Sequence, residues 1–295
     1  MKTPFRFFIP LLAALALCAP GRAAERALPN PFGVFNLRPL NGLPAQEQVD
    51  LAQRAGYDGL MASTSVAVGK PLDRLREFAA VPAVRDGKFK IYAILWQVRV
   101  DKPLDEKFLK EFTVVARELK ASIWCNSVGT PGEREVTVKL LQTVADQCAA
   151  DGVQLVLYPH HACTFETAEE SIDVLKLMQR PAVKLSLHLC HELKANNRDR
   201  LDAVVAKIAP HLALVSLNGV DTSVPFSAKG WDSMILPLDQ GDYDVRPFVA
   251  ALVRHGYKGP ILLHNFGFKV PPSEYLPASI KRWREISGDV ARSLQ

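Results

Sequence analysis

The chain has 295 residues, 48% hydrophobic and 23% charged, with 17 Gly, 21 Pro and 5 Cys. That balance excludes a disordered, collagen-like or disulfide-framework protein, and the length suffices for a sizeable core. The net charge is +5, and setting aside Lys2, Arg6 and Arg22 of the first 24 residues leaves +2, too little to point to nucleic acid or an anionic surface.

Residues 1–24 read as an export leader. Lys2 and Arg6 precede an apolar run from Phe7 to Leu17, and Pro20, Gly21, Ala23 and Ala24 follow it. Positive start, short apolar middle and small-residue exit are the parts of a secretory signal, and the run is short for a membrane span. Cys18 offers a lipid-attachment alternative, against which stands the bulky Leu17 before it. Residues 25–295 are therefore expected to act outside the cytoplasm, with no stable membrane insertion. Disulfides are permitted there. Cys125, Cys148, Cys163 and Cys190 are widely spaced with no C-x-x-C. They read as buried free thiols, with a Cys163–Cys190 pair left open.

Short apolar runs then alternate with amphipathic stretches. The runs 32–36, 59–63, 90–98, 122–128, 153–161, 183–188, 212–218 and 260–266 have the length and residue types of buried strands. Helical patterns occupy 44–55, 72–85, 104–120, 133–150, 167–180, 198–209 and 245–255. Gly56, Gly152 and Gly256 stand where helices should stop, and Thr167 with Glu170 predicts a capping box. Eight strands alternating with helices over about 270 residues predict a single (β/α)8 TIM barrel with a parallel sheet. No G-x-G-x-x-G follows the first strand, which weakens a dinucleotide-binding fold. Residues 222–233 form the longest irregular insertion, beyond the seventh strand on the face where barrels keep their active sites.

Side chains alternate along a strand, so one parity faces the barrel interior. Val183, Leu185 and Leu187 form the apolar set of the sixth strand, which turns Lys184, Ser186 and His188 inward. The same alternation turns Gln154, Tyr158 and His160 inward on the fifth strand and pairs Ser216 with Asn218 on the seventh. On the eighth, either His264 or Asn265 faces in. Five of seven histidines sit at or just after strand ends: His160, His161, His188, His191 and His264. Imidazoles converging there suit a metal or acid–base site. Glu166, Glu169 and Glu170 read as the acidic first turn of a helix, and Lys281, Arg282 and Arg284 as a solvated helix face. Trp96 and Trp124 lie within strands and read as core. Trp231, in the long insertion, is the better candidate for stacking on a sugar ring.

With these residues in place, the chain resembles the sugar phosphate isomerase/epimerase group of the xylose isomerase-like TIM-barrel superfamily. The resemblance runs from about Phe32 to Phe266. Gly152-Val153-Gln154-Leu155-Val156-Leu157-Tyr158-Pro159-His160, Leu189-Cys190-His191-Glu192-Leu193 and Ser216-Leu217-Asn218-Gly219 carry it, with Gly241-Asp242-Tyr243-Asp244 and Gly256-Tyr257-Lys258-Gly259-Pro260 further on. The resemblance implies a divalent metal held by Glu, Asp, His and Glu on strands five to eight, with carboxylates moving a proton between adjacent carbons. Those positions fall on Tyr158, His188, Ser216 and His264, so all four usual ligands are changed, while the usual His three residues after the Asp position is kept as His191.

Two repairs are open. His160, His188 and His264 form a neutral-ligand site for Zn, Mn or Fe, or the site is metal-free with His188 or His191 as base beside Tyr158 as acid. Asn218, Ser216 and Trp231 are the expected substrate contacts. The expectation is an exported sugar or keto-sugar isomerase/epimerase, or a lyase relative, acting on a small carbohydrate and not on nucleic acid. The rival is a barrel that has lost catalysis and binds a carbohydrate or a partner.

Overall fold

The structure, a computed structural model, describes residues 27–64, 71–228 and 230–295. The expected export leader, with Cys18, lies outside the described residues.

Each apolar run forms a strand. They are β1 (Phe32–Phe35), β2 (Gly59–Ser63), β3 (Lys90–Arg99), β4 (Ser122–Val128), β5 (Leu155–Leu157), β6 (Lys184–His188), β7 (Leu212–Leu217) and β8 (Ile261–Leu263). All pair in parallel with their sequence neighbours, and β1 pairs with β8 to close the ring. Strands buried on both faces need no polar alternation, and β1, β2, β5 and β8 accordingly have no exposed position.

The helices cover the outside. They are α1 (Ala45–Ala55), α2 (Pro71–Ala80), α3 (Pro82–Arg85), α4 (Glu106–Glu118), α5 (Arg134–Ala150), α6 (Ala168–Met178), α7 (Leu189–Lys194), α8 (Leu201–Ile208), α9 (Trp231–Met234), α10 (Arg246–Arg254) and α11 (Pro272–Ser293). In α4, Leu109, Phe112, Val115 and Ala116 are buried at helical spacing, and the Asp105 side chain accepts from Phe108 N at 2.9 Å to cap its start. The capping box at Thr167 and Glu170 forms as predicted, and Gly56 ends α1 at φ 106°, a conformation costly for any residue with a Cβ.

Three differences have local causes. The stretch 72–85 breaks into α2 and α3 because Pro82 begins a new helix. β5 shortens because Pro159 lacks the N–H a ladder needs. α11 carries Pro277 inside it, which obscures its pattern in the sequence; Tyr275, Leu276, Ile280, Trp283 and Ile286 face the barrel, while Lys281 and Arg284 are exposed. The four cysteines are free and buried, so the Cys163–Cys190 pair does not form. No helix among the described residues is long and apolar enough to cross a membrane.

Candidate active site at the barrel mouth

An aromatic stack makes the floor. Phe35, Met61, Trp124, Val156, Leu214 and Leu262 fill the barrel interior, and Tyr158 lies on top of them. Trp124 stacks on Tyr158 and on His188, each at 4.9 Å, and Tyr158 and His188 stack at 3.8 Å. Trp124 Nε1 donates to Ser186 Oγ at 2.7 Å, and Ser186 Oγ in turn donates to Leu157 O at 2.9 Å. With its hydrogen committed, Ser186 Oγ accepts from His188 Nε2 at 2.9 Å, and Ser216 Oγ donates to His188 Nδ1 at 2.8 Å. Both His188 nitrogens are therefore used, and the ring is fully buried.

Above this floor opens a cavity of about 230 Å³ at the carboxyl ends of the strands. Tyr158, His160, His191 and His264 line it, with Gln97 and Asn126 across from them and Leu37, Trp231, Ile235 and Phe266 around the rim. Among the described residues no carboxylate lines it. Tyr158 Oη lies 3.5 Å from His191 Nε2 and 3.5 Å from His264 Nε2. His160 packs against His191 with ring centres 4.3 Å apart, and Trp231 sits edge-on to His191 at 5.3 Å.

Backbone contacts fix the tautomers. His160 Nδ1 donates to His161 O at 2.7 Å, which leaves Nε2 as a free acceptor. His191 Nδ1 accepts from His161 N at 3.5 Å, and His264 Nδ1 accepts from Phe266 N at 3.4 Å. In both of these the proton then resides on Nε2, the nitrogen nearest Tyr158. Burial lowers every one of these imidazoles from its ordinary range, His264 to about 3. The mutual repulsion of the rings adds to it for His188 and His191. Burial, with Cys190 and Cys163 nearby, raises the Tyr158 phenol. The cavity at neutral pH holds neutral imidazoles and a protonated phenol.

Of the residues expected at the site, Tyr158, His160, His191, His264 and Trp231 meet in the cavity. His264, the residue after β8, faces inward, and Asn265 does not: its Nδ2 donates to Tyr275 Oη at 2.9 Å. His188, Ser216 and Asn218 do not line the cavity. The first two form the hydrogen-bonded layer beneath Tyr158, where stacking covers them. Asn218 Nδ2 donates to Gly219 O and Met234 O, both at 2.7 Å, and so ties the insertion to β7. Glu192 follows His191 but turns away, accepting from Ala168 N at the start of α6 and from Asn197. Gln97, Asn126 and Phe266 complete the cavity without having been singled out. For the first two the signal is the same strand alternation: Leu95 and Gln97 share a face of β3, and Trp124 and Asn126 share a face of β4. Asn126 Oδ1 is buried and has no hydrogen-bond partner among the described residues.

The family profile described as xylose isomerase-like TIM barrel matches residues 49–286. The chain belongs to this family.

Among curated proteins none matches the chain. Solved structures share its fold at low identity. An L-ribulose 3-epimerase aligns at TM-score 0.67 and 14% identity, covering 90% of this chain and 96% of the other. The probable 3-DHS dehydratase AsbF of Bacillus anthracis aligns at TM-score 0.67 and 14% identity over 85% and 97%. The IOLI protein, solved with a binding zinc atom, aligns at TM-score 0.66 and 17% identity over 88% and 98%. At such identities these likenesses concern the fold alone.

The metal implied by the family resemblance can be tested against the donors present. Cys190, His191 and His264 each place one donor atom within 4.8 Å of the others, a set whose chemistry is that of zinc rather than of manganese or magnesium. A histidine that binds metal donates its other ring N–H to a carboxylate, carbonyl or water. Here the other nitrogens of His191 and His264 face backbone N–H donors. His188, expected as a ligand, has both nitrogens engaged, and no carboxylate stands at any of the four family positions. The donor set does not fit the carboxylate-held divalent ion of the resemblance.

Proposed function

We propose that this family member is an exported enzyme that moves a proton beside the carbonyl of a small free sugar or keto-sugar, in the manner of an isomerase or epimerase. The observation that carries the reading is the cavity at the barrel mouth. It joins one imidazole with a free lone pair, His160, to a phenol and two further imidazoles, Tyr158, His191 and His264, and no carboxylate among the described residues lines it.

His160 is the base in this reading. Its Nδ1 proton is anchored on His161 O, its Nε2 is unengaged, and burial keeps it unprotonated at neutral pH, as a general base requires. Tyr158, whose ring lies 5.7 Å from that of His160, gives its hydrogen to the carbonyl oxygen, its phenol kept neutral by burial. His188 supports Tyr158 from below through the stack, held in one orientation by Ser186 and Ser216. Asn126 Oδ1 is an unpaired acceptor suited to a ligand hydroxyl, and Trp231 and Phe266 offer aromatic faces to the C–H side of a sugar ring. Among the described residues no lysine or arginine lines the cavity, which favours a neutral sugar. The leader-like residues 1–24 support export.

The test is solvent deuterium wash-in, followed by proton NMR, on a panel of free aldoses, ketoses and keto-sugars. The wild type should exchange the hydrogen on the carbon beside the carbonyl of at least one of them. His160→Ala should slow that exchange at least a hundredfold. A panel bound by calorimetry but never exchanged would replace the reading with a carbohydrate-binding barrel, which the loss of the family's carboxylates favours. A conjugated unsaturated product would mark a lyase.

A further inference from the structure

His191 and His264 project hydrogens, not lone pairs, towards Tyr158. Each Nδ1 is occupied from behind by a backbone N–H, from His161 at 3.5 Å and from Phe266 at 3.4 Å. Each Nε2–H therefore points to the same side, and Tyr158 Oη lies 3.5 Å from both. The phenol adds a third hydrogen. Three polar hydrogens thus meet around one oxygen, which has lone pairs for the two imidazole hydrogens, while its own hydrogen has no acceptor among the described residues. The three residues are 2%, 3% and 4% exposed for Tyr158, His191 and His264, so solvent contributes little. A buried cluster with more donors than acceptors calls for an oxygen acceptor from outside the protein.

The family position at His264 is a carboxylate, a group that takes up cations. An imidazole held as its Nε2–H tautomer does the reverse and binds negative charge. We propose that His191 and His264, with Tyr158, form a metal-free electrophile that binds the carbonyl oxygen of the substrate and stabilises it as negative charge develops there. The inference rests on the proposed function for the identity of the substrate, but not for the existence of the donor cluster. The cluster supplies by hydrogen bonds the polarisation that a divalent ion supplies elsewhere in the family. Neutral imidazoles suit the task because they gain no charge of their own and remain matched to a weakly basic oxygen. Burial raises the strength of such bonds by excluding competing water. The step balances: the C–H proton goes to His160 Nε2, its bonding pair forms the C=C bond, and the carbonyl π pair moves onto the oxygen held by the three donors; redelivery of the proton by His160 to the neighbouring carbon, with the hydroxyl proton passing to the first oxygen, gives the isomer and leaves every protein group neutral.

Nitrogen-15 NMR of the ring nitrogens tests it on the full-length mature protein. His191 and His264 should both show a protonated Nε2 and an unprotonated Nδ1, unchanged from pH 7 to pH 5.5. Equimolar zinc should leave both rings unmoved. The aldonate D-arabinonate, whose carboxylate stands in for an enediolate oxygen, should shift both Nε2 signals. His264→Gln keeps an N–H donor and should weaken arabinonate less than tenfold, whereas His264→Leu should weaken it more than tenfold. A protonated Nδ1 on either ring overturns the proposal, as does zinc bound one-to-one through the Nε2 atoms or an arabinonate that moves neither signal. If the tautomers and the aldonate response are as stated but no sugar on the panel exchanges deuterium, the donor cluster stands and only the isomerase reading falls.

Discussion

His191 and His264 show how much of a residue's chemistry its neighbours set. Alone, an imidazole near neutral pH is acid, base or ligand. Here backbone donors fix which nitrogen holds the proton, and burial removes the charge. That burial has a cost that pH exposes. The folded-state values of His188, His191 and His264 lie below the ordinary 6.5, so below about pH 6.5 the unfolded chain takes up protons that the folded one refuses. Stability is intact above that pH and falls as pH drops towards the folded values, by about 1.4 kcal/mol per pH unit for each group. The urea midpoint should decline steeply between pH 6.5 and 5, and His264→Gln should flatten the slope by about one group's share. An unchanged slope in that variant would show that His264 protonates freely in the fold.

At the scale of elements, the barrel supplies a rigid floor and the insertion after β7 supplies a wall. The insertion is fastened at three points. Asn218 grips Met234 O, Gly219 and Leu236 form an antiparallel bridge, and Lys194 Nζ reaches Ser227 O at 3.0 Å. These contacts place α9 so that Trp231 faces His160, His161 and His191. The insertion is therefore an anchored part of the site. Trp231 is half-buried and packs only on the edge of the core, so Trp231→Ala should change unfolding free energy by less than about 1 kcal/mol. It should weaken binding of a free sugar about fivefold to tenfold, the value of one aromatic face. Calorimetry and a denaturant titration on the same variant read both. A loss of several kcal/mol would instead make Trp231 a packing residue.

The whole molecule depends on closing the ring, and glycines let β1 and β2 approach their neighbours closely. A Cβ on Gly59 would lie 2.3 Å from Lys90 O, and one on Gly33 would lie 2.4 Å from a Leu262 methyl and 2.9 Å from Gly59 O. A backbone oxygen cannot step aside without shifting β2 against β3. Gly59→Ala should therefore cost about 1–3 kcal/mol and lower Tm by several degrees, as overpacking does. Because the cavity draws its residues from β3, β4 and the segments that follow most other strands, the same variant should also weaken sugar binding, though Gly59 lies at the far end of β2. Thermal unfolding and calorimetry check the pair of effects; an unchanged Tm would show that this approach has slack.

The sequence by itself determined the barrel. The period of its apolar runs, its helix stops and the capping box at Thr167 are local properties, and local physics reads them. It also placed imidazoles at strand ends, because alternation along a strand is fixed by the backbone. Only the tertiary structure decided what each imidazole is for. His188 and His264 have the same inward parity, yet stacking under Tyr158 and hydroxyls from β6 and β7 bury one, while the other opens on the cavity. Asn126 shares its face with Trp124, but its unpaired Oδ1 exists only because of what packs around it. The direction of a ring nitrogen's proton depends on a backbone group 30 residues away for His191, His161 N, and contacts at that separation leave no mark in the pattern of residues along the chain.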